Sequence, residues 1–135
     1  MSSGLVAKSR QTKYRNAIKS ALQDMGHATN SEILIELQKK YPELSATTVH
    51  RATSGLYLQG EIGIAPSDKN GSMRYDANVV PHDHFNCTNC DLLRDADIKF
   101  KIAPIIEESI GDCQISGRLT IGGICKNCIF LISKE

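Results

Sequence analysis

Nine consecutive residues, His82-Asp83-His84-Phe85-Asn86-Cys87-Thr88-Asn89-Cys90, constrain this chain more than any other stretch. An H-x-H pair and a C-x-x-C pair share one short segment. On a β-strand alternate side chains fall on the same face, so His82 and His84 can grip a single ion. Cys87 and Cys90 have the spacing that lets two thiolates reach one tetrahedral zinc. Two soft ligands need two more, and Cys125-Lys126-Asn127-Cys128 supplies them near the far end. A disulfide framework is the competing reading of these four cysteines. C-x-x-C pairs in a chain with no secretory signal favour metal instead. An H-x-H pair by itself is weak evidence for a ligand. The stretch predicts two metal sites sharing a strand: a closed four-cysteine site for structural Zn2+ and a nitrogen/oxygen site beside it. The fifth cysteine, Cys113, lies in an alternating apolar run and is expected to be a buried core thiol.

Charge is divided unevenly along the chain. Residues 1–75 hold ten Lys and Arg against six Asp and Glu, a net +4, whereas residues 76–135 hold six against nine, a net −3. Between residues 1 and 23 stand Lys8, Arg10, Lys13, Arg15 and Lys19 with no acid among them. A basic front half suggests a polyanionic partner, with a solvated helix face as the plainer alternative. No apolar segment approaches a membrane span, and the first eight residues lack the apolar core of a signal peptide. No membrane partner is expected. A reducing, cytoplasmic location follows, which suits thiolate ligands.

Hydrophobic periodicity places a first helix from about Gln11 to Met25, with Tyr14, Ile18, Ala21, Leu22 and Met25 on one face and Gly26 as its stop. His27 falls in the connection. Thr29 to Glu32 matches a capping box; the helix it opens presents Ile33, Leu34, Leu37 and Tyr41, and Pro42 closes it. Ser45-Ala46-Thr47-Thr48 is a second start signal. The helix after it buries Val49, Ala52 and Leu56 and turns Thr47, His50, Arg51 and Ser54 outward. That short, polar face has the donors needed to meet base edges and phosphates in a major groove. Gly55 inside the helix costs about 1 kcal/mol relative to Ala for no reason visible in the sequence. Two alternating runs, Glu61 to Ala65 and Met73 to Asp76, flank the turn dipeptide Asn70-Gly71. Three helices and a hairpin make a winged helix-turn-helix.

After Tyr75 the character changes. Strands are predicted at His84–Thr88 and Leu92–Ala96. Pro104 is expected to open a helix carrying Ile105, Ile106 and Ile110, stopped by Gly111. A long strand with Cys113, Ile115, Leu119 and Ile121 in register should follow, and Ile129 to Ile132 form an apolar tail. The expected fold class is α+β: a winged-helix DNA-binding domain over residues 1–76 and a small α/β dimerisation domain over residues 77–135. So small a second domain needs help, from zinc or from a second copy.

Taken together these residues resemble the ferric uptake regulator (Fur) superfamily of metal-dependent bacterial repressors. The resemblance is carried by Ser45 to Arg51, by Arg74-Tyr75-Asp76, by His82 to Cys90 and by Gly123 to Cys128, and it runs from about residue 10 to residue 128. It implies a homodimer binding double-stranded DNA at palindromic operators, with a regulatory ion at the hinge between the domains. The regulatory ligands it implies are His27, Asp76, His82, His84 and Asp95. Nitrogen and oxygen ligands of this kind suit Fe2+ or Mn2+. Asp91 and Asp97, the neighbours of Asp95, are read as solvent-facing. The implied DNA contacts are Lys13, Tyr14, Arg15, Ser45, Thr47, Thr48, His50, Arg51 and Ser54. Asp at position 95, where iron sensors of the family usually carry Glu, is similar to the peroxide-sensing branch, PerR. In that branch bound Fe2+ reacts with peroxide and the histidine ligands, here His27 and His82, are oxidised. His50 departs from the tyrosine common in the family's recognition helix.

The function expected is thus a metal-dependent transcriptional repressor, peroxide-responsive through bound Fe2+. A plain Fe2+-, Mn2+- or Zn2+-responsive repressor is the nearest alternative. A non-haem iron enzyme using His82, His84 and a carboxylate is an alternative of another class, disfavoured because so short a chain has little length for a substrate pocket. A zinc-stapled protein adaptor is the third.

Overall fold

The computed structural model describes the backbone of residues 2–134 and the side chains of residues 12–134. The side chains of Lys8 and Arg10, part of the basic run, lie outside the described residues. The chain forms two compact units, one ending at Val79 and the other beginning at Val80.

The first unit contains α1 (Ser2–Met25), β1 (His27–Thr29), α2 (Asn30–Gln38), α3 (Ala46–Leu58), β2 (Gly63–Ala65) and β3 (Arg74–Asp76). α1 ends where Gly26 takes a φ of +80° and returns its N–H to the Leu22 carbonyl at 2.7 Å. A side chain there would strain the backbone. Thr29 caps α2 through a reciprocal box: its hydroxyl accepts from the Glu32 N–H, and the Glu32 carboxylate accepts from the Thr29 N–H. Ser45 caps α3 by accepting from the Thr48 N–H at 3.1 Å. The three helices close over Ile18, Leu22, Ile33 and Val49, all fully buried, with Leu37, Leu44, Leu56, Ile62 and Tyr75 around them. Each such aliphatic side chain contributes about 1.5–3 kcal/mol by leaving water. The sheet order is β1-β3-β2, both pairings antiparallel. This is a winged helix-turn-helix.

Four expectations for this unit are corrected. α1 begins at Ser2 rather than near Gln11; periodicity marks the buried part of a helix, and no proline interrupts the chain before Pro42. His27 is not in a connection but on a strand, because Asp76 lies opposite it on β3. α2 stops at Gln38, short of Pro42, in a turn where the Lys40 and Tyr41 N–H groups both reach the Leu37 carbonyl. The wing is also longer than a two-residue turn. Its loop is held from both sides: the Asp68 carboxylate accepts from the Asn70 and Ser72 N–H groups, and buried Arg74 donates to the carbonyls of Pro66 and Ser67.

The second unit contains β4 (Asp83–Cys87), β5 (Leu93–Ala96), α4 (Lys99–Ser109), β6 (Thr120–Gly123) and α5 (Lys126–Ser133). The sheet order is β5-β4-β6, with β5 antiparallel and β6 parallel to β4. Its core is small: Cys87, Cys125 and Cys128 with Phe85 and Leu92 against them.

Three expectations fail here. Pro104 does not open α4 but lies within it. The N–H groups of Ile98 and Lys99 donate to the Asp83 carboxylate at 2.8 Å each, so the helix is started earlier by a buried anion at its positive end. Pro104 then simply brings no N–H to the helix ladder. The long strand shrinks to Thr120–Gly123, because Gly111, Asp112 and Gly117 all take positive φ and turn the chain away from extension. Cys113, in that turning segment, is exposed and not a core thiol. The apolar stretch Ile129 to Ile132 lies on helix α5.

Candidate metal centres and the recognition helix

Two sequence-distant cysteine pairs converge in the second unit. Cys87 ends β4 and Cys90 follows in the turn, while Cys125 caps α5 and Cys128 stands in its first turn. The four sulfurs all lie within 4.8 Å of one another, and Cys90 and Cys125 are 3.7 Å apart. Sulfurs bound at about 2.3 Å to one tetrahedral zinc stand roughly 3.8 Å apart, whereas a disulfide requires about 2.05 Å. No two of these cysteines are joined in a disulfide, and a cluster of four sulfurs fits one shared ion better than separate S–S bonds. The N–H groups of Cys125 and Cys90 donate to the Cys87 sulfur and hold its pKa down to about 6. At Cys128 the hydrogen bond from Asn89 pulls the other way, but the neighbouring thiols, Cys125 foremost, and burial push its pKa up to about 12. Four thiolates so close repel one another. A bound dication removes that conflict, so the donor set fits a soft metal.

The nitrogen and oxygen ligands expected beside this site are set by strand register. In the second unit His84 on β4 lies directly opposite Asp95 on β5, and the His84 Nε2 to Asp95 Oδ1 distance is 3.6 Å. His82, two residues earlier, brings its Nε2 to 3.2 Å from the same oxygen, and the two imidazole centres are 4.4 Å apart. Register thereby selects Asp95 over its neighbours. Asp91, half-buried rather than solvent-facing, occupies the turn with φ +66°, and Asp97 faces solvent as expected, with the Arg118 guanidinium at 2.8 Å. In the first unit the same device recurs: His27 lies opposite Asp76 on paired strands, with its Nε2 3.6 Å from the carboxylate. Asp76 is buried and His27 half-buried.

The tautomer of His82 carries chemical information. Its Nδ1 lies 2.6 Å from the Val80 carbonyl oxygen, which can only accept, so Nδ1 carries the proton. In neutral His82 the Nε2 lone pair then faces a carboxylate lone pair at 3.2 Å. Two acceptors meet in this way only around a cation, either a proton or a metal. An imidazole steered by a carbonyl on its far nitrogen is the usual second-sphere arrangement of a metal-bound histidine. These donors suit a borderline divalent ion.

The expected DNA contacts separate into two groups. Thr47, His50 and Arg51 are exposed on α3, with Ser54 half-buried beside them. Ser45 and Thr48 bond to each other at the start of that helix. Tyr14 instead packs edge-on against Tyr41 and donates to Glu43 at 3.0 Å, while Lys13 lies over the Tyr41 ring at 4.9 Å. Arg15 donates to Gln59 at the end of α3. Its guanidinium occupies the space that a Cβ on Gly55 would need, at 2.8 Å. A side chain at position 55 would displace the end of Arg15, a flexible group that can move aside. Residues the sequence reading missed are Asp83, fully buried, and its partner Arg118. Strand alternation could have found Asp83, since it must face opposite to His82 and His84.

The comparisons agree with this architecture. The sequence profile of the ferric uptake regulator family matches residues 7–113, which includes the first cysteine pair but not the second. The chain is 29% identical over 126 residues to the peroxide-responsive repressor PerR of Staphylococcus epidermidis, covering 88% of this chain and 81% of that protein. It resembles the peroxide stress regulator of Campylobacter jejuni with a TM-score of 0.68 at 25% identity, over 93% of this chain and 97% of that one. The fold of the Helicobacter pylori ferric uptake regulator Fur matches with a TM-score of 0.68 at 21% identity, over 96% and 94% of the two chains. The match over most of the sequence, with the two ligand groups built as described, shows that the chain belongs to the ferric uptake regulator family, whose members are metal-responsive transcription regulators and not enzymes.

Proposed function

We propose that this protein is a repressor that binds palindromic operators as a homodimer and leaves them when peroxide attacks its regulatory iron site. The observation that carries the reading is the donor set around Asp95: two imidazoles and an Asp carboxylate, with the His82 tautomer fixed by Val80. The family resemblance adds His27 and Asp76 to this ligand set, which would take Fe2+ or Mn2+. Bound Fe2+ supplies the electrons that activate peroxide beside the histidines. His27 or His82 would then take one peroxide oxygen into a ring C–H bond, the other oxygen leaving as water, and would cease to serve as a ligand. Four of the cysteines are drawn together as one ligand group, whereas Cys113 is exposed, so oxidation of that thiol is the competing peroxide chemistry. Exposed Phe100, Ile105, Ile110, Phe130 and Leu131 on the second unit give a second copy an apolar surface to cover. The similarity to PerR supports the peroxide reading over plain metal sensing.

Operator binding titrated with Fe2+, Mn2+ and Zn2+ separately, with and without peroxide, tests this. The Fe2+ form should leave DNA on peroxide treatment while the Mn2+ form stays, and mass spectrometry should find one added oxygen on His27 or His82. If the Fe2+ form stays bound with both histidines intact, a plain iron- or manganese-responsive repressor is the better reading. A second expected outcome concerns the DNA face. Lys13→Ala should weaken binding to all sequences and flatten the salt dependence by about one unit of slope, whereas Arg51→Ala should also relax base preference by roughly 1–3 kcal/mol. Unchanged filter-binding curves for both variants would move the interface elsewhere.

A further inference from the structure

Thr53 is a polar residue with no exposed surface, in the middle of a helix whose other buried positions are apolar. Its hydroxyl donates to the Asn30 side-chain oxygen at 2.8 Å, a shorter contact than those to the Val49 carbonyl at 3.1 Å and the His50 carbonyl at 3.2 Å. Asn30 is the first residue of α2, immediately after the Thr29 cap, so its backbone is fixed as well. With its oxygen turned to Thr53, the amide presents its NH2 group to the His50 Nδ1 at 3.4 Å. An NH2 group can only donate, so Nδ1 of His50 must accept. The proton of the neutral ring is then on Nε2, the nitrogen farther from Asn30.

We infer that Asn30 and Thr53 act as positioning residues for His50, holding it in the Nε2–H tautomer so that the recognition helix offers the groove a hydrogen-bond donor. A neutral imidazole can be donor or acceptor at its outer nitrogen, and the choice decides which base edges it can read. An Nε2–H group matches purine N7, guanine O6 or thymine O4, and is mismatched to the amino groups of cytosine and adenine. The inference rests on the DNA-binding reading above, and it names the chemistry by which one position of that helix would select a base.

The test uses the full chain with manganese bound. Side-chain 15N NMR, with the His50 signals assigned by their loss in His50→Gln, reports the tautomer without DNA. Selection from a randomised duplex pool reports base preference for the wild type, Thr53→Val, Thr53→Ser and Asn30→Ser. The expected result is a protonated Nε2 and an unprotonated Nδ1 in the free protein. Thr53→Val has the shape but not the hydroxyl, and it should cut the preference for one base pair per half-site by about fivefold to tenfold, as should Asn30→Ser. Thr53→Ser restores the hydroxyl and should restore the preference, which a merely structural role would not require. A proton on Nδ1 overturns the inference, because the Asn30 amide must then face the other way. Tight operator binding with unchanged preference in Thr53→Val and Asn30→Ser overturns it alone. A wild type that selects no sequence overturns the DNA-binding reading and this inference with it.

Discussion

Replacing Cys90 with Ser is expected to strip the second unit of its metal and of most of its stability. Protein purified under reducing conditions should carry one zinc per chain by elemental analysis, and the Cys90→Ser variant should carry none. The argument begins with how little else holds this unit together. Its core is three of the four cysteines with Phe85 and Leu92, while Phe100, Ile105, Phe130 and Leu131 are more than half exposed. A zinc bound by four thiolates contributes apparent energies of about 10–16 kcal/mol in small domains. No rearrangement of so small a core offsets a loss of that size. Cys90 is the exposed member of the set, so the serine itself fits without strain. A variant that keeps its metal and its melting profile would show that the thiolates do not share one ion.

Asp83→Ala should destabilise the same unit by about 1–3 kcal/mol, the cost typical of leaving buried hydrogen-bonding groups without a partner. The Asp83 carboxylate accepts two bonds from Arg118, at 2.9 and 3.1 Å, and one each from the N–H groups of Ile98, Lys99 and Leu119. Removing it leaves three backbone donors without their acceptor, leaves the Arg118 guanidinium only its bond to Asp97, and unfastens α4 and β6 from β4 together. Urea unfolding of the zinc-loaded protein measures the effect; a loss below about 1 kcal/mol would mean that water replaces the carboxylate. The interaction also has a pH signature. The Arg118 guanidinium, with those N–H groups, holds the Asp83 carboxyl well below the usual carboxylate range. A group whose folded pKa is depressed stabilises the fold above its unfolded value. Its contribution is therefore full above about pH 4 and declines as the pH falls toward the folded pKa.

Much of the first unit was legible because local chemistry and tertiary structure agree there. The Thr29–Glu32 box, the Ser45 cap and the Gly26 stop each satisfy backbone groups within a few residues, and such signals survive without knowledge of the fold. The cysteine spacing was legible for a related reason: two thiolates three residues apart can reach one ion whatever surrounds them. β1 was not legible. Three residues carry no period, and only the pairing with β3 makes His27 to Thr29 a strand. The neighbour of Gly55 was not legible either, because the Arg15 guanidinium beside it comes from another helix.

The second unit divides along the same line. By itself the sequence determined the residue types, the paired cysteines, the alternation that puts His82 and His84 together, and the uneven charge. Those properties depend on neighbours within a few positions. Only the tertiary structure decided that Asp95 and not Asp91 or Asp97 stands opposite His84, that Asp83 starts α4 ahead of Pro104, and that Cys113 is exposed. Each of these follows from strand register or from a buried partner far along the chain. A one-residue slip in register would turn every side chain of β5 to the other face, and no local pattern in this short strand specifies which register wins.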